Sequence, residues 1–143
     1  MTTMTELTIE QRFEAGFKRY DAGESPDALL PEFIEICRLD PKNAAAWSCV
    51  AWLHLLRGKA DLALPAAQRS VKIDHRNPQA HVNLALALLG TGGKGVRKHI
   101  ELVQKVMDFS EEVRQDIFEN IDDGLTRRPD WKELAKVKNW LSE

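Results

Sequence analysis

The chain has 143 residues, 43% of them apolar and 29% charged, with a formal net charge of −2. That length suits one domain, because a fold of this size buries roughly 68–70% of the surface its unfolded chain exposes. The composition excludes a disordered or fibrous chain, the charge shows no global attraction to nucleic acid or anionic membrane, and two cysteines are too few for a disulfide framework or a four-thiolate zinc site.

Met1 to Tyr20 carries Glu6, Glu10 and Glu14 and no apolar run of signal length. No stretch reaches the ~18 apolar residues of a membrane span, so a cytoplasmic location is expected. Thr8 with Gln11 makes a capping-box pattern ahead of a first helix. A shift of 34 residues then superposes Phe13 on Trp47 and His81, Phe17 on Ala51 and Ala85, and Tyr20 on His54 and Leu88. The same shift brings Leu30 onto Leu64, Pro31 onto Pro65, and Asn43 onto Asn77. The frames are 10–43, 44–77 and 78–111, within a single domain 1–143, and each frame is expected to hold two helices.

In the second frame Trp47, Val50, Ala51 and His54 recur at i, i+3, i+4 and i+7, one face of a helix. That helix runs to Gly58, which can leave in a left-handed conformation. A second helix opens near Asp61 with Leu64, Ala67, Val71 and Ile73. Pro31 and Pro65 are tolerated near a helix start, where the missing N–H has no intrahelical partner, so they are expected near the first turn. Ala51, Ala63 and Ala67 allow a neighbouring helix to approach closely. Cys37 and Cys49 lie among apolar residues and read as core or near-core thiols.

The third frame keeps His81, Leu84, Ala85 and Leu88. Gly90 to Gly95 follows a helix and lacks the GxxxxGK[ST] spacing of a phosphate loop, so it reads as an inter-helix turn. Val96, Ile100, Val103 and Met107 form a stripe ending near Ser110, a candidate N-cap. Val113, Ile117 and Ile121 follow at four-residue spacing. Gly124 to Pro129 breaks the pattern, and Asp130 is a candidate cap for a last helix bearing Trp131, Leu134, Val137 and Leu141. Residues 112–143 are expected to form capping helices with a polar outer face.

Trp47-x2-Val50-Ala51-x2-His54 followed by Ala63-x3-Ala67 resembles the tetratricopeptide repeat pattern, and Phe13-x2-Gly16-Phe17-x2-Tyr20 with Phe33 and Pro41 is a recognisable first copy. The third copy is degenerate: Arg97 and Glu101 stand where the family has a small residue and an aromatic. The resemblance covers residues 10 to about 95. It implies an all-α helical-hairpin solenoid (an α-α superhelix) with C-terminal capping helices, working as a protein–protein interaction module such as an adaptor, scaffold or assembly factor. In such stacks the first helices line a concave groove. The positions that can face it include Gln11, Glu14, Lys18 and Asp21, then Ser48, Cys49, Trp52, Leu55 and Leu56, then Gln79, Val82, Asn83 and Leu86. The protein-binding groove is therefore assigned to Lys18, Ser48, Trp52, Leu55, Gln79, Asn83 and Leu86, with Trp52 as an open aromatic anchor and Trp47 in the core. The partner expected is a peptide or helix of another protein. The family's carboxylate clamp is not expected: Asn83 matches one clamp-type position, but Ala45, Ser48, Cys49, Gln79 and Val82 supply no cation.

No catalytic constellation stands out. His54, His75, His81 and His99 show no ligand spacing, there is no HExxH, Cys-x2-Cys or GxSxG, and His54 and His81 sit at core positions of the repeat. No enzyme activity, cofactor, metal or small-molecule substrate is expected. Two alternatives remain at this stage. One is a small cytosolic chaperone of the type III secretion translocator class. The other is a regulatory subunit touching nucleic acid through Arg127, Arg128, Lys132, Lys136 and Lys138, a tract that otherwise reads as a solvated helix face.

Overall fold

The computed structural model describes residues 6–143; the first five residues of the amino-terminal stretch lie outside them. Among the described residues the chain forms eight helices and no strand: α1 (Ile9–Asp21), α2 (Pro26–Leu39), α3 (Ala44–Leu56), α4 (Ala60–Ile73), α5 (Pro78–Thr91), α6 (Val96–Phe109), α7 (Glu111–Arg127) and α8 (Lys132–Ser142). Among the described residues no helix is long and apolar enough to cross a membrane.

Local chemistry explains where these helices begin. Thr8 accepts from the Gln11 N–H at 3.1 Å while the Gln11 side chain accepts from the Thr8 N–H at 2.9 Å, a complete capping box. Ser25, Asn43, Asn77 and Ser110 each accept from the backbone N–H three residues on, satisfying donors that a helix start leaves orphaned. Gly58 and Gly92 leave their helices with φ of 75° and 71°, in the turns expected for them. Three boundaries differ from expectation. Pro31 and Pro65 are each the sixth residue of a helix, one turn further in; the carbonyls they leave unpaired belong to exposed Asp27 and Asp61, where water can bond them. Gly124 lies inside α7 and does not end it. Asp130 does not cap α8, since Trp131 holds that position without a side-chain bond.

Each helix packs on its neighbour in the chain from α1 to α8, and α3 also packs on α5. Ala46, Ala51, Ala63, Ala67, Ala80, Ala85 and Ala87 have no exposed surface, which is what lets successive hairpins stack closely. One apolar cluster joins Leu29, Phe33, Ile36, Val50, Leu53 and Leu84. A second joins Leu55 and Leu86 to Ile100, Val103 and Met107 of α6, Ile117 and Ile121 of α7, and Trp131, Leu134, Val137 and Leu141. The stripe read on α6 is thus real, although the repeat pattern fades there: amphipathic spacing, not the signature residues, is enough to seat a helix. Helices α7 and α8 pack on α6 and on each other, and α8 also reaches α5.

Candidate functional site

The inner face of the stack, built from α1, α3, α5 and α7, holds a cavity of about 290 Å³. Its apolar walls are Phe17, Phe33, Cys49, Trp52 and Leu53, and its polar groups come from Tyr20, Asp21, Ser48, Gln79, Asn83, Asn120 and Asp123. Of the residues assigned to the groove from sequence, Ser48, Trp52, Gln79 and Asn83 line this cavity. The other three do not. Leu55 and Leu86 are 2% and 1% exposed and belong to the core shared with α6–α8, and Lys18 is exposed outside the lining.

Trp52 also differs from the expected open anchor. Its ring packs 5.4 Å from that of Trp131, its indole N–H donates to the Tyr20 hydroxyl at 2.9 Å, and only part of it faces the cavity. The C-terminal helices cover the rest. Helix α7 can come this close because Gly124 has no side chain. A Cβ there would lie 2.8 Å from Leu134 Cδ2 and 2.9 Å from Trp52 Cη2. Gly124→Ala is therefore expected to destabilise the fold by about 1–3 kcal/mol through overpacking, outweighing the ~1 kcal/mol that alanine gains over glycine in a helix. Denaturant midpoints measure this, and a stabilised Gly124→Ala would mean that α7 does not sit on Trp52.

A polar latch ties α7 to the far end of the stack. The Tyr20 hydroxyl donates to Asp123, and Arg127 pairs with the same carboxylate at 3.0 Å. The Arg127 guanidinium also lies 3.7 Å from the centre of the Tyr20 ring and donates to the Tyr20 carbonyl at 2.9 Å. Burial, followed by the bond to Asp123, pushes the Tyr20 hydroxyl above the ordinary phenol range, so it stays protonated as a donor. Arg128 lies 4.9 Å from the Trp131 ring and donates to the Leu55 carbonyl at 2.8 Å, supplying a partner to the carbonyl end of α3.

An amide relay crosses the floor. Asn83 Nδ2 donates to the Ser48 carbonyl and hydroxyl at 3.1 and 2.9 Å. Gln79 Nε2 donates to Asn83 Oδ1 at 2.9 Å, and Asn120 Nδ2 donates to Gln79 Oε1 at 3.0 Å. The two thiols are unsuited to nucleophilic work: burial pushes Cys37 up to about 11 and Cys49 up to about 12.

Sequence reading missed Phe17, Tyr20, Phe33, Leu53, Asn120 and Asp123 as lining residues. Tyr20 superposes on His54, a core position of the repeat, and Asn120 and Asp123 lie on a helix expected in the cap. One signal was present: Gly124 follows Ile117 and Ile121 at seven and three residues, which puts it on the buried stripe of α7.

No protein-family model matches the chain, and no curated protein matches it. Solved structures do. The Yersinia enterocolitica type III secretion translocator chaperone SycD superposes with a TM-score of 0.63 at 20% identity, over 99% of this chain and 94% of that one. MamA gives 0.59 at 18% identity, over 94% and 77%. The first TPR of Spaghetti (RPAP3), bound to the HSP90 peptide SRMEEVD, gives 0.54 at 15% identity, over 97% and 99%. The fold is that of a tetratricopeptide-type helical-hairpin stack.

Proposed function

We propose that this chain is a protein–protein interaction module, a single domain of three helical hairpins (10–43, 44–77, 78–111) with the 112–143 pair folded along its inner side, which holds a peptide or helix of a partner in the cavity between α1, α3, α5 and α7. The observation that carries this reading is the cavity itself, with apolar walls and polar groups on its floor and rim, the mixture found in recognition sites. The likeness to the translocator chaperone concerns the fold and does not favour that narrower role. The nucleic-acid alternative loses most of its cations: Arg127 and Arg128 are spent within the fold and Lys138 pairs with Asp122 at 2.7 Å.

Position-specific crosslinking tests the proposal. A benzophenone side chain in place of Phe17, which is 47% exposed and lines the cavity, is expected to capture a partner segment; the same group in place of Phe109, 92% exposed and outside the lining, is not. Asn120→Trp, at an exposed rim position, should fill the cavity mouth and abolish capture while leaving the helical circular dichroism intact. Capture that is equal from Phe17 and Phe109, or untouched by Asn120→Trp, would remove the cavity as the binding site.

A further inference from the structure

The hydrogen-bonding capacity of this cavity narrows what it can hold, given that it is the docking site proposed above. The relay across its floor has one possible sense. The Ser48 carbonyl can only accept, so Asn83 turns its Nδ2 toward it, at 3.1 Å. That leaves Asn83 Oδ1 for the Gln79 Nε2 donor, and Gln79 Oε1 for Asn120 Nδ2. The chain of bonds ends at Asn120 with its own carbonyl oxygen unused. The Tyr20 O–H is already committed to Asp123. Two carboxylates, Asp21 and Asp123, line the cavity, and among the described residues no Lys, Arg or His does. Asp123 is answered by Arg127, whereas Asp21 makes no ion pair among the described residues. The cavity therefore presents net negative charge beside aromatic walls, with the second N–H groups of Gln79 and Asn120 and the Ser48 hydroxyl as its uncommitted donors.

We infer that the cavity takes a basic side chain, arginine in preference to lysine, from an otherwise apolar-faced segment of the partner protein. A guanidinium has five donors and no acceptor, which matches the Asp21 carboxylate and the unused Asn120 amide oxygen. Its methylene stem can lie along Phe17, Phe33 and Leu53 while the charged head stays near Asp21 and water. Phe17 and Trp52, aromatic residues of the lining, offer π-systems for cation–π attraction. Lysine, a point charge with three donors and no planar fork, fits less well. The volume of about 290 Å³, at the small end of ligand pockets of roughly 300–1,000 Å³, is enough for one long side chain. The molecule already recognises a guanidinium in this way on its other rim, where Arg127 lies over Tyr20 and against Asp123. A carboxylate ligand meets the opposite: no cation to receive it, and Asp21 to repel it.

Selection of short random peptides on the folded full chain tests this. Peptides that bind the parent and not Asn120→Trp are expected to carry Arg beside apolar residues. Exchanging that arginine for citrulline, which keeps its shape and loses its charge, should weaken binding roughly tenfold or more. Asp21→Asn, at an exposed position, should weaken the arginine peptide by about the same factor and leave the citrulline peptide unchanged. Cavity-bound peptides without a basic residue, or equal binding of the arginine and citrulline forms, overturn the inference while the cavity stands as the docking site. A selection that yields no peptide blocked by Asn120→Trp overturns both.

Discussion

Trp131→Ala is expected to cost about 3–5 kcal/mol of stability, the usual range for emptying a buried tryptophan site. Trp131 is 2% exposed and sits between α7 and α8, with Trp52 on one side and the Arg128 guanidinium against its ring. The aromatic pair itself is worth about 0.5–1.5 kcal/mol beyond the area it buries. Removing it leaves a cavity that Leu134 and Val137, both without exposed surface, cannot reach without breaking their own contacts. Trp47→Ala should cost less, about 1–2 kcal/mol. The sequence assigned Trp47 to the core, but its ring is partly exposed, held by a bond from its indole N–H to the Pro41 carbonyl at 2.9 Å and by Arg69 at 5.1 Å. Denaturant melts of both variants decide the order. If Trp47→Ala proves the costlier, the C-terminal pair is not part of the cooperative core.

Acid should weaken the fold through two histidines the repeat pattern did not pair. His81 Nδ1 and His99 Nδ1 lie 2.8 Å apart, and His81 Nε2 lies 2.7 Å from the His75 carbonyl. A carbonyl only accepts, so His81 carries its proton on Nε2 and receives the Nδ1–H of His99. Both rings are buried. Burial, then the neighbouring His81 and Lys98, holds the His99 pKa down at about 4, against an ordinary value of 6.5. A depressed histidine pKa means that the unfolded chain binds the proton more readily than the folded one. Stability is therefore full above pH ~6.5 and falls as pH drops from there toward ~4. One pKa unit is worth about 1.4 kcal/mol; with solvent screening at the ring's open edge, a loss of roughly 2 kcal/mol is expected across that window. Urea midpoints between neutral pH and pH 4 measure it. His99→Asn, whose amide can still donate to His81, should flatten this part of the profile. An unchanged acid slope in His99→Asn would show that the pair is not its source.

The parts of this molecule that were legible in its sequence are those whose energies act within a turn or two of the chain. Caps at Thr8 and Ser110, the left-handed turns at Gly58 and Gly92, and the apolar stripes of α6, α7 and α8 all depend on neighbours three or four residues away. The 34-residue spacing added the stacking, because small residues recurring at that period can only be explained by one hairpin closing on the next. Six residues of the cavity, Asp21, Ser48, Cys49, Trp52, Gln79 and Asn83, are among the positions that register turns toward the groove. The tertiary structure alone decided the rest. Gly124 looks the same in sequence whether it ends a helix or admits Trp52 and Leu134 against one. Tyr20 and Asp123 meet across 103 residues, and His81 and His99 meet across a turn whose geometry no local rule specifies. The curvature that folds α7 onto Trp52, buries Leu55 and Leu86, and turns an open groove into a lined cavity is the sum of many small packing angles. Each angle is set by side chains interlocking between helices, a property of pairs distant in sequence and not of any segment read on its own.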